Sequence, residues 1–372
     1  MDLNLNTEQK ILKNSARDFL KKECPRDLFR EMRESDEDYP KKLWKKMAEL
    51  GWMGVGIPEA FDGMDGDFID QTILLEAMAE ACLPAPYFNT VIVAGTALQL
   101  SKTEALKKEL LPKIADGKLV CSFALIDPNN SYGYSNIQTS AVKEGGDFVL
   151  TGTKLFVEYA RSSDYLLTVA KTADQGLAVF MVESGSDGIS MRHLETLDYS
   201  KQCAVTLDKV KVPASNLLAI GAEADKLLED LELRGSVAKC AELLGGMQPA
   251  FDISVGYAKD REQFGVPIGT FQSIQHHCAN MAVDLDSSRY ITTLAAWKIT
   301  QGQPAVKEAA MAKSYASAAA SRVVKLGHQI HGAISYCDEH DMHLFLRRCR
   351  AASVAFGDSE YHLEKVAVEL GL

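Results

Sequence analysis

Two changes of hydrophobic period mark this 372-residue sequence as an α+β protein in three parts. Up to about residue 118, apolar residues recur at helical spacing, as in Ile11, Leu12, Ala16, Phe19 and Leu20. From about 119 to 222 the period is two, and Gly, Asp and Asn punctuate the runs. From about 223 to the end the spacing is helical again, in long segments with short breaks, which argues for an antiparallel bundle. The expected organisation is an N-terminal helical domain over 1–118, a middle antiparallel β domain over 119–222 and a C-terminal antiparallel four-helix bundle over 223–372.

The elements follow in order. Leu43, Met47 and Leu50 lie on one helical face, and Gly51 is a plausible stop for that helix. The loop from Gly54 to Gly66 is too rich in Gly and Pro to be helical. Further helices are expected around Ile73–Ala79 and near 92–100. Strands are expected at Val120–Leu125, Phe148–Thr151, Tyr165–Ala170, Leu177–Val182 and Ala204–Leu207. The last region reads as helices over Leu227–Lys259, Gln272–Thr300, Val306–His331 and about 341–369, the last broken near Gly357.

Composition excludes several function classes. A formal charge of −11 argues against a nucleic-acid partner, because phosphate backbones need clustered Lys and Arg. No apolar run approaches the ~18 residues of a membrane span. The start, MDLNLNTEQK, lacks a basic segment followed by an apolar run, so no secretory signal is read there. Eight scattered Cys with no CxxC pair read as free thiols of a cytoplasmic protein. His276, His277, His340 and His343 have no third ligand at recognisable spacing, so no metal is expected. Arg347, Arg348 and Arg350 are read as serving subunit contacts or a phosphate.

The most informative stretch is Arg261-Glu-Gln-Phe264-Gly265-Val-Pro-Ile268-Gly-Thr-Phe271-Gln272-Ser-Ile-Gln275-His276. Arg donates parallel hydrogen bonds to a phosphate and stays charged at any working pH. Phe264 can cover a flat ring, and Gly265 lets backbone approach a ligand. These are the needs of a dinucleotide with a diphosphate. The pattern R-x-x-F-G-x-x-I-x-x-F-Q-x-x-Q-H resembles the flavin segment of the acyl-CoA dehydrogenase family. Other stretches resemble that family in the same order, beginning with Gly51-Trp52-x-Gly54 and Pro58-Glu59 in the N-terminal region.

The resemblance implies FAD as cofactor, held by Arg261, Phe264 and Gln272. Leu326–Tyr336 resembles the family's Q-x-x-G-G-x-G-[FY] turn, which implies that Gln329 and Gly332 reach the flavin from a neighbouring subunit. Ala333 and Ser335 replace Gly there, so the turn is expected to be less permissive. Lys154-Leu-Phe156-Val-Glu158 takes the place of K-x-W-I-T, which implies that Phe156 packs on the flavin while Glu158 lacks the usual hydroxyl. The Leu125-Ile126-Asp127-Pro128 loop weakly resembles T-E-P-G-x-G-S-D. Ile126 replaces the Thr, which leaves backbone groups such as that of Leu125 to meet the ring.

In the family a carboxylate removes the α-proton of an acyl-CoA thioester while flavin N5 takes a hydride from the β-carbon. Many relatives carry that base as Glu in a Y-E-G-T turn. The matching run here is Ala355-Phe356-Gly357-Asp358, and Phe356 cannot accept a proton. Its N–H can hold the thioester oxygen, and Asp358 falls where relatives contact the flavin. F-G-D resembles a branch often found as one subunit of two-subunit enzymes acting on cyclic, steroid-side-chain or dicarboxylic thioesters. A replacement base is expected on the helix before Arg261. Glu242 is the first candidate, because it shares a face with Gly235, Ala238, Gly245 and Gly246 and small residues suggest close approach of a flavin or acyl group. Glu232 is the second candidate, and nearby Arg234 is a candidate substrate contact. The expected function is FAD-dependent α,β-dehydrogenation of a non-straight-chain acyl-CoA, with electrons passed to an electron-transfer flavoprotein. The alternative is a non-catalytic, flavin-sharing partner in a heteromeric dehydrogenase. The expected assembly is a homotetramer or a heteromer with a related subunit.

Overall fold

Apolar stripes of helical period and polar caps decide where the helices run. The computed structural model describes residues 3–129 and 132–372. The first helices are α1 (Thr7–Glu23), α2 (Arg26–Glu34), α3 (Lys41–Glu49), α4 (Phe68–Glu80), α5 (Gly95–Leu100) and α6 (Glu104–Ala115). Strands β1 (Cys121–Ala124), β2 (Ser140–Glu144), β3 (Asp147–Glu158), β4 (Tyr165–Thr172), β5 (Gly176–Glu183), β6 (Ile189–Leu194), β7 (Gln202–Val212) and β8 (Leu217–Ile220) follow. Then come α7 (Ala222–Asp260), the short pair β9 (Glu262–Gln263) and β10 (Val266–Pro267), α8 (Gln272–Thr300), α9 (Val306–His331), α10 (Met342–Val354) and α11 (Ser359–Glu369). α1 opens with a capping box: the Asn6 side chain accepts from Gln9 N–H at 2.8 Å, and the Gln9 side chain accepts from Asn6 N–H at 3.2 Å.

Two compact units share the chain. One comprises 30–67 and 84–235, the other 1–29, 68–83 and 236–372. The first is built on an eight-stranded sheet ordered β6-β7-β3-β2-β4-β5-β8, with β1 paired to β4. Most neighbours are antiparallel, while β1 and β2 both meet β4 in parallel. Its core gathers Phe148, Leu150, Val157, Leu166, Phe180, Val205 and Leu207, with the Phe148 and Phe180 rings 5.1 Å apart, edge to face. β2 and β6 are not legible from period. β2 runs out into Lys143 and Glu144, and β6 lies on the sheet edge with no fully buried residue.

The second unit is a helical bundle. α9 buries Ala309, Ala310, Ala312, Ala316, Ala319 and Ala320, so its neighbours approach closely. Charge is buried as well as oil. The Glu76 carboxylate on α4 accepts from Arg289 of α8 at 2.7 Å and lies 3.4 Å from Lys13 of α1. Burial acts to raise its pKa, but the cations outweigh burial and hold it below the usual carboxylate range.

The small residues of α7 serve this packing. A Cβ on Gly245 would lie 2.3 Å from the Glu76 carbonyl oxygen, and one on Gly246 would lie 2.5 Å from Cys349 Sγ. Their closest neighbours are thus α4 and α10, which corrects the expectation that a flavin or acyl group accounts for these glycines. Arg348 is likewise committed within its own chain. It donates to the carbonyls of Cys82 and Leu83, each at 3.4 Å, and lies over the Phe29 ring. Overpacking costs about 1–3 kcal/mol, so Gly245→Ala should lower unfolding stability by that amount, read as a lower denaturant midpoint at unchanged slope. Gly256→Ala, in the same helix with nothing within 4 Å of its Cβ, should leave the midpoint unchanged or raise it. Equal midpoints for the two variants would contradict this packing.

Candidate functional site

Left-handed backbone is expensive for residues other than Gly, and most of all for bulky ones. Three phenylalanines adopt it: Phe156 (φ 56°), Phe264 (φ 56°) and Phe356 (φ 57°). All three fall in the stretches that the sequence singles out.

In the sheet unit, the pairing of β3 with β7 slips between Lys154 and Val157. This bulge, with its left-handed residue, turns Phe156 outwards, leaving it 54% exposed while Lys154 and Val157 on either side are fully buried. Lys154 Nζ lies 2.5 Å from Asp127 Oδ1 and donates to the Leu125 carbonyl at 3.0 Å. Asp127 also accepts from the N–H groups of Gln138 and Thr139 and from the Thr139 hydroxyl. Burial acts to raise the Asp127 carboxyl, but Lys154 and these donors hold it below its usual range. Burial pulls Lys154 down to about 8 against the attraction of Asp127. Asp127 is therefore a structural anchor for the loop that carries Leu125 and exposed Ile126. Asn130 and Ser131 of that loop lie outside the described residues. Glu158 is also anchored, accepting from Asn89 Nδ2 at 2.8 Å with Gln202 Nε2 at 3.4 Å. Arg234, at the last turns that α7 contributes to this unit, is lowered by burial, with Asp230 pulling the other way.

In the bundle unit, β9 and β10 form a hairpin with Phe264 and Gly265 (φ 81°) at its tip. The Phe264 ring is 94% exposed and meets Phe271 edge to face. Among the described residues no carboxylate pairs with the Arg261 guanidinium, and Gln272 and Gln329 are also exposed at the ends of α8 and α9. α9 stops at Gly332, whose φ of 68° and ψ of −147° suit glycine alone, with open space where a Cβ would stand. Ala333 and Ser335 have ordinary negative φ, so the loss of glycine there does not strain the turn. Ser335 instead ties the turn together. Its hydroxyl donates to the Gly332 carbonyl and meets His328 Nδ1, each at 2.7 Å.

The F-G-D turn lies between α10 and α11. Phe356 and Gly357 (φ 94°) are both left-handed, and Asp358 caps α11 by accepting from Tyr361 N–H at 2.9 Å. A Cβ on Gly357 would sit 2.3 Å from the Tyr361 ring. Two buried basic groups grip the turn's carbonyls: Lys313 Nζ donates to Gly357 O at 2.6 Å, and His362 Nε2 donates to Phe356 O at 2.7 Å. On α7, Glu242 accepts from Lys239 Nζ at 2.9 and 3.1 Å. Lys239, Glu242 and Asp358 all act electrostatically on Lys313, so α7 and the turn share one neighbourhood. Sequence reasoning missed Lys313, His362, Asn89 and the Ser335–His328 pair. Lys313 left a signal, because its α9 face is otherwise alanine and serine. Among the described residues no group of three His, Cys, Asp or Glu is arranged for a metal.

Helical, sheet and helical segments in this order, with these turns at the ends of α7, α9 and α10, define a class of oxidoreductase. The chain belongs to the acyl-CoA dehydrogenase family: its N-terminal domain matches over 6–118, its middle domain over 122–210 and its C-terminal domain over 234–371. It is 32% identical to the probable acyl-CoA dehydrogenase YngJ of Bacillus subtilis, across 100% of both chains. It is 31% identical to the caffeyl-CoA reductase–Etf complex subunit CarC of Acetobacterium woodii, across 95% of each. Butyryl-CoA dehydrogenase from Megasphaera elsdenii superposes with a TM-score of 0.93 at 27% identity, across 100% of both chains.

Removing one partner of a buried ion pair costs about 3–5 kcal/mol. Asp127→Asn should therefore lower unfolding stability by that amount, and Asp127→Asn with Lys154→Met should recover part of the loss. A double variant no more stable than the single one would contradict the pairing.

Proposed function

We propose that the chain binds FAD and moves two hydrogens at the Cα–Cβ bond of an acyl-CoA thioester, exchanging electrons with an electron-transfer flavoprotein. The observation that carries this reading is the Arg261 guanidinium, which no carboxylate among the described residues pairs with, beside the exposed Phe264 tip. The residues fit the cofactor. Arg261 and Gln272 offer donors to a diphosphate, Gln329 and the open Gly332 turn offer an amide and accessible backbone, and Phe156 offers a ring held out of its own core. The backbone at Leu125 and the Asp358 carboxylate complete the proposed contacts. When bound, FAD supplies the acceptor for the β-hydrogen and its electron pair.

The chain's own residues do the rest. The Phe356 N–H, on a turn fixed by Lys313 and His362, holds the thioester oxygen where negative charge develops as the α-proton leaves. Glu242 takes that proton after turning from Lys239, to which its carboxylate is hydrogen-bonded on α7. Arg234 reaches the substrate from the preceding turns of the helix. An aromatic at 356 in place of a carboxylate supports a reshaped acyl pocket, and so a branched, cyclic or dicarboxylic acyl group. CarC, by its name a subunit of a reductase–Etf complex, supports the electron-transfer partner and leaves either direction of reaction open.

A second reading has its own support. Glu242 is already engaged by Lys239, and Phe356 removes the turn carboxylate, as suits a flavin-sharing partner of a second, catalytic chain. Expression of the chain alone separates the two. A yellow protein bleached by acyl-CoA supports catalysis, and a colourless one that turns yellow only with a related chain supports the partner role. Positioned general bases contribute about 10²- to 10⁴-fold, so Glu242→Gln should slow single-turnover flavin reduction by that factor with flavin still bound. Unchanged reduction removes the assignment. A hydrogen bond to a charged group is worth about 1.5–3 kcal/mol, so Arg261→Met should raise the FAD Kd about 10- to 100-fold. An unaltered Kd contradicts the diphosphate contact.

A further inference from the structure

The Lys313 ammonium on α9 is completely buried, and among the described residues no carboxylate lies in ion-pair contact with it. It faces three neutral oxygens: Ser317 Oγ at 3.1 Å, the Ser353 carbonyl at 2.9 Å and the Gly357 carbonyl at 2.6 Å. An ammonium has three protons and no lone pair, so three acceptors match it completely. Two of them, Ser353 and Gly357, flank the strained left-handed Phe356. The third carbonyl of the turn, Phe356 O, is held by His362 from α11.

We propose that Lys313 is a positioning residue for the acyl thioester: its protonated ammonium locks the Phe356–Gly357–Asp358 turn so that the turn's N–H groups meet the substrate carbonyl, and loss of one proton releases that lock. This rests on the reading of the turn as the thioester-binding element. The physical reason is a count of donors. A neutral amine keeps two protons and gains a lone pair, so only two of the three acceptors can still be served in this fully buried site. The freed carbonyl loses its partner, and the left-handed backbone loses what offsets its strain.

The charge on Lys313 is poised to change. Burial lowers its pKa to about 8; Lys239 pushes it the same way, while Cys240, Asp358 and Glu242 pull it up. These are the ionisable groups acting on it from α7 and from the start of α11. α10 presents Ser353 O and α9 presents Ser317 Oγ, both uncharged, and His362 engages the neighbouring carbonyl. The ammonium, and with it the lock, is complete below that pKa and is lost as pH rises through it.

Two ligands test this on the flavin-loaded protein. Acetyl-CoA carries the thioester carbonyl but no β-carbon to oxidise, and S-ethyl-CoA is the thioether without the carbonyl. The wild-type Kd for acetyl-CoA should rise about tenfold or more on passing pH 8, while that for S-ethyl-CoA should not follow it; a tenfold change is about 1.4 kcal/mol, roughly one hydrogen bond. Lys313→Arg, charged throughout, should abolish the transition, and Lys313→Met should weaken acetyl-CoA binding at every pH without one. Amide hydrogen exchange on the flavin-free protein reads the lock without any ligand. Residues 354–362 should exchange faster in Lys313→Met than in wild type at pH 7, with α8 unchanged. A wild-type transition that persists in Lys313→Arg, or equal exchange across 354–362 in both proteins, overturns the proposal. If wild type binds neither CoA compound at any pH, the substrate role falls with the proposed function; faster exchange in Lys313→Met then shows that the lock itself is intact.

Discussion

A short turn with two consecutive left-handed residues persists only where its surroundings hold it, and here a buried ammonium and an imidazole do so. Gly357 accepts the left-handed region readily, but Phe356 does not, and the difference is of order 1–3 kcal/mol. Lys313 and His362 offset that strain through the two carbonyls of the turn. Their grip ends α10, starts α11 at the Asp358 cap and holds the left-handed backbone of Phe356 between the two helices. Every chemical role assigned to this end of the bundle depends on the turn staying in that conformation.

The same device recurs at lower stakes. Phe264 pairs with Gly265 in a hairpin tip, and Phe156 sits on a bulge opposite β7. In β3 the left-handed φ throws the Phe156 ring away from the core that the alternation of its strand would otherwise feed. Buried lysines are the second recurring device. Lys154 fixes the loop after β1 through Asp127 and the Leu125 carbonyl, as Lys313 fixes the loop after α10. In both cases a cation under the surface holds backbone carbonyls, so the exposed side of the loop keeps its shape without help from a ligand.

The fold was largely legible in the sequence. Period alone gives α8 and α9 to the residue, because both are long, regular and bounded by turn residues. It also places the interruption near Gly357, where glycine breaks the helical pattern. β6 was not legible, because an edge strand without fully buried positions carries no clear alternation. The proposed cofactor contacts at Arg261, Phe264, Gln272 and Gly332 come from stretches that resemble family motifs. The site was not legible where the partner is remote in sequence: the acceptors of Lys313 lie up to 44 residues away, and Asn89 meets Glu158 across 69. Gly245 and Gly246 show how a small residue misleads, since a close approach is implied but its agent is not. That agent is the α4 backbone and Cys349.

The proposed chemistry requires the F-G-D turn to bind the thioester while Glu242 faces the α-carbon. A crystal structure of the flavin-loaded protein with acetyl-CoA tests it directly. The expected result is the thioester oxygen within hydrogen-bond reach of the Phe356 N–H, about 2.6–3.2 Å, and the Glu242 carboxylate turned from Lys239 towards the methyl carbon. A thioester bound away from the turn, with Glu242 still paired to Lys239, would contradict it.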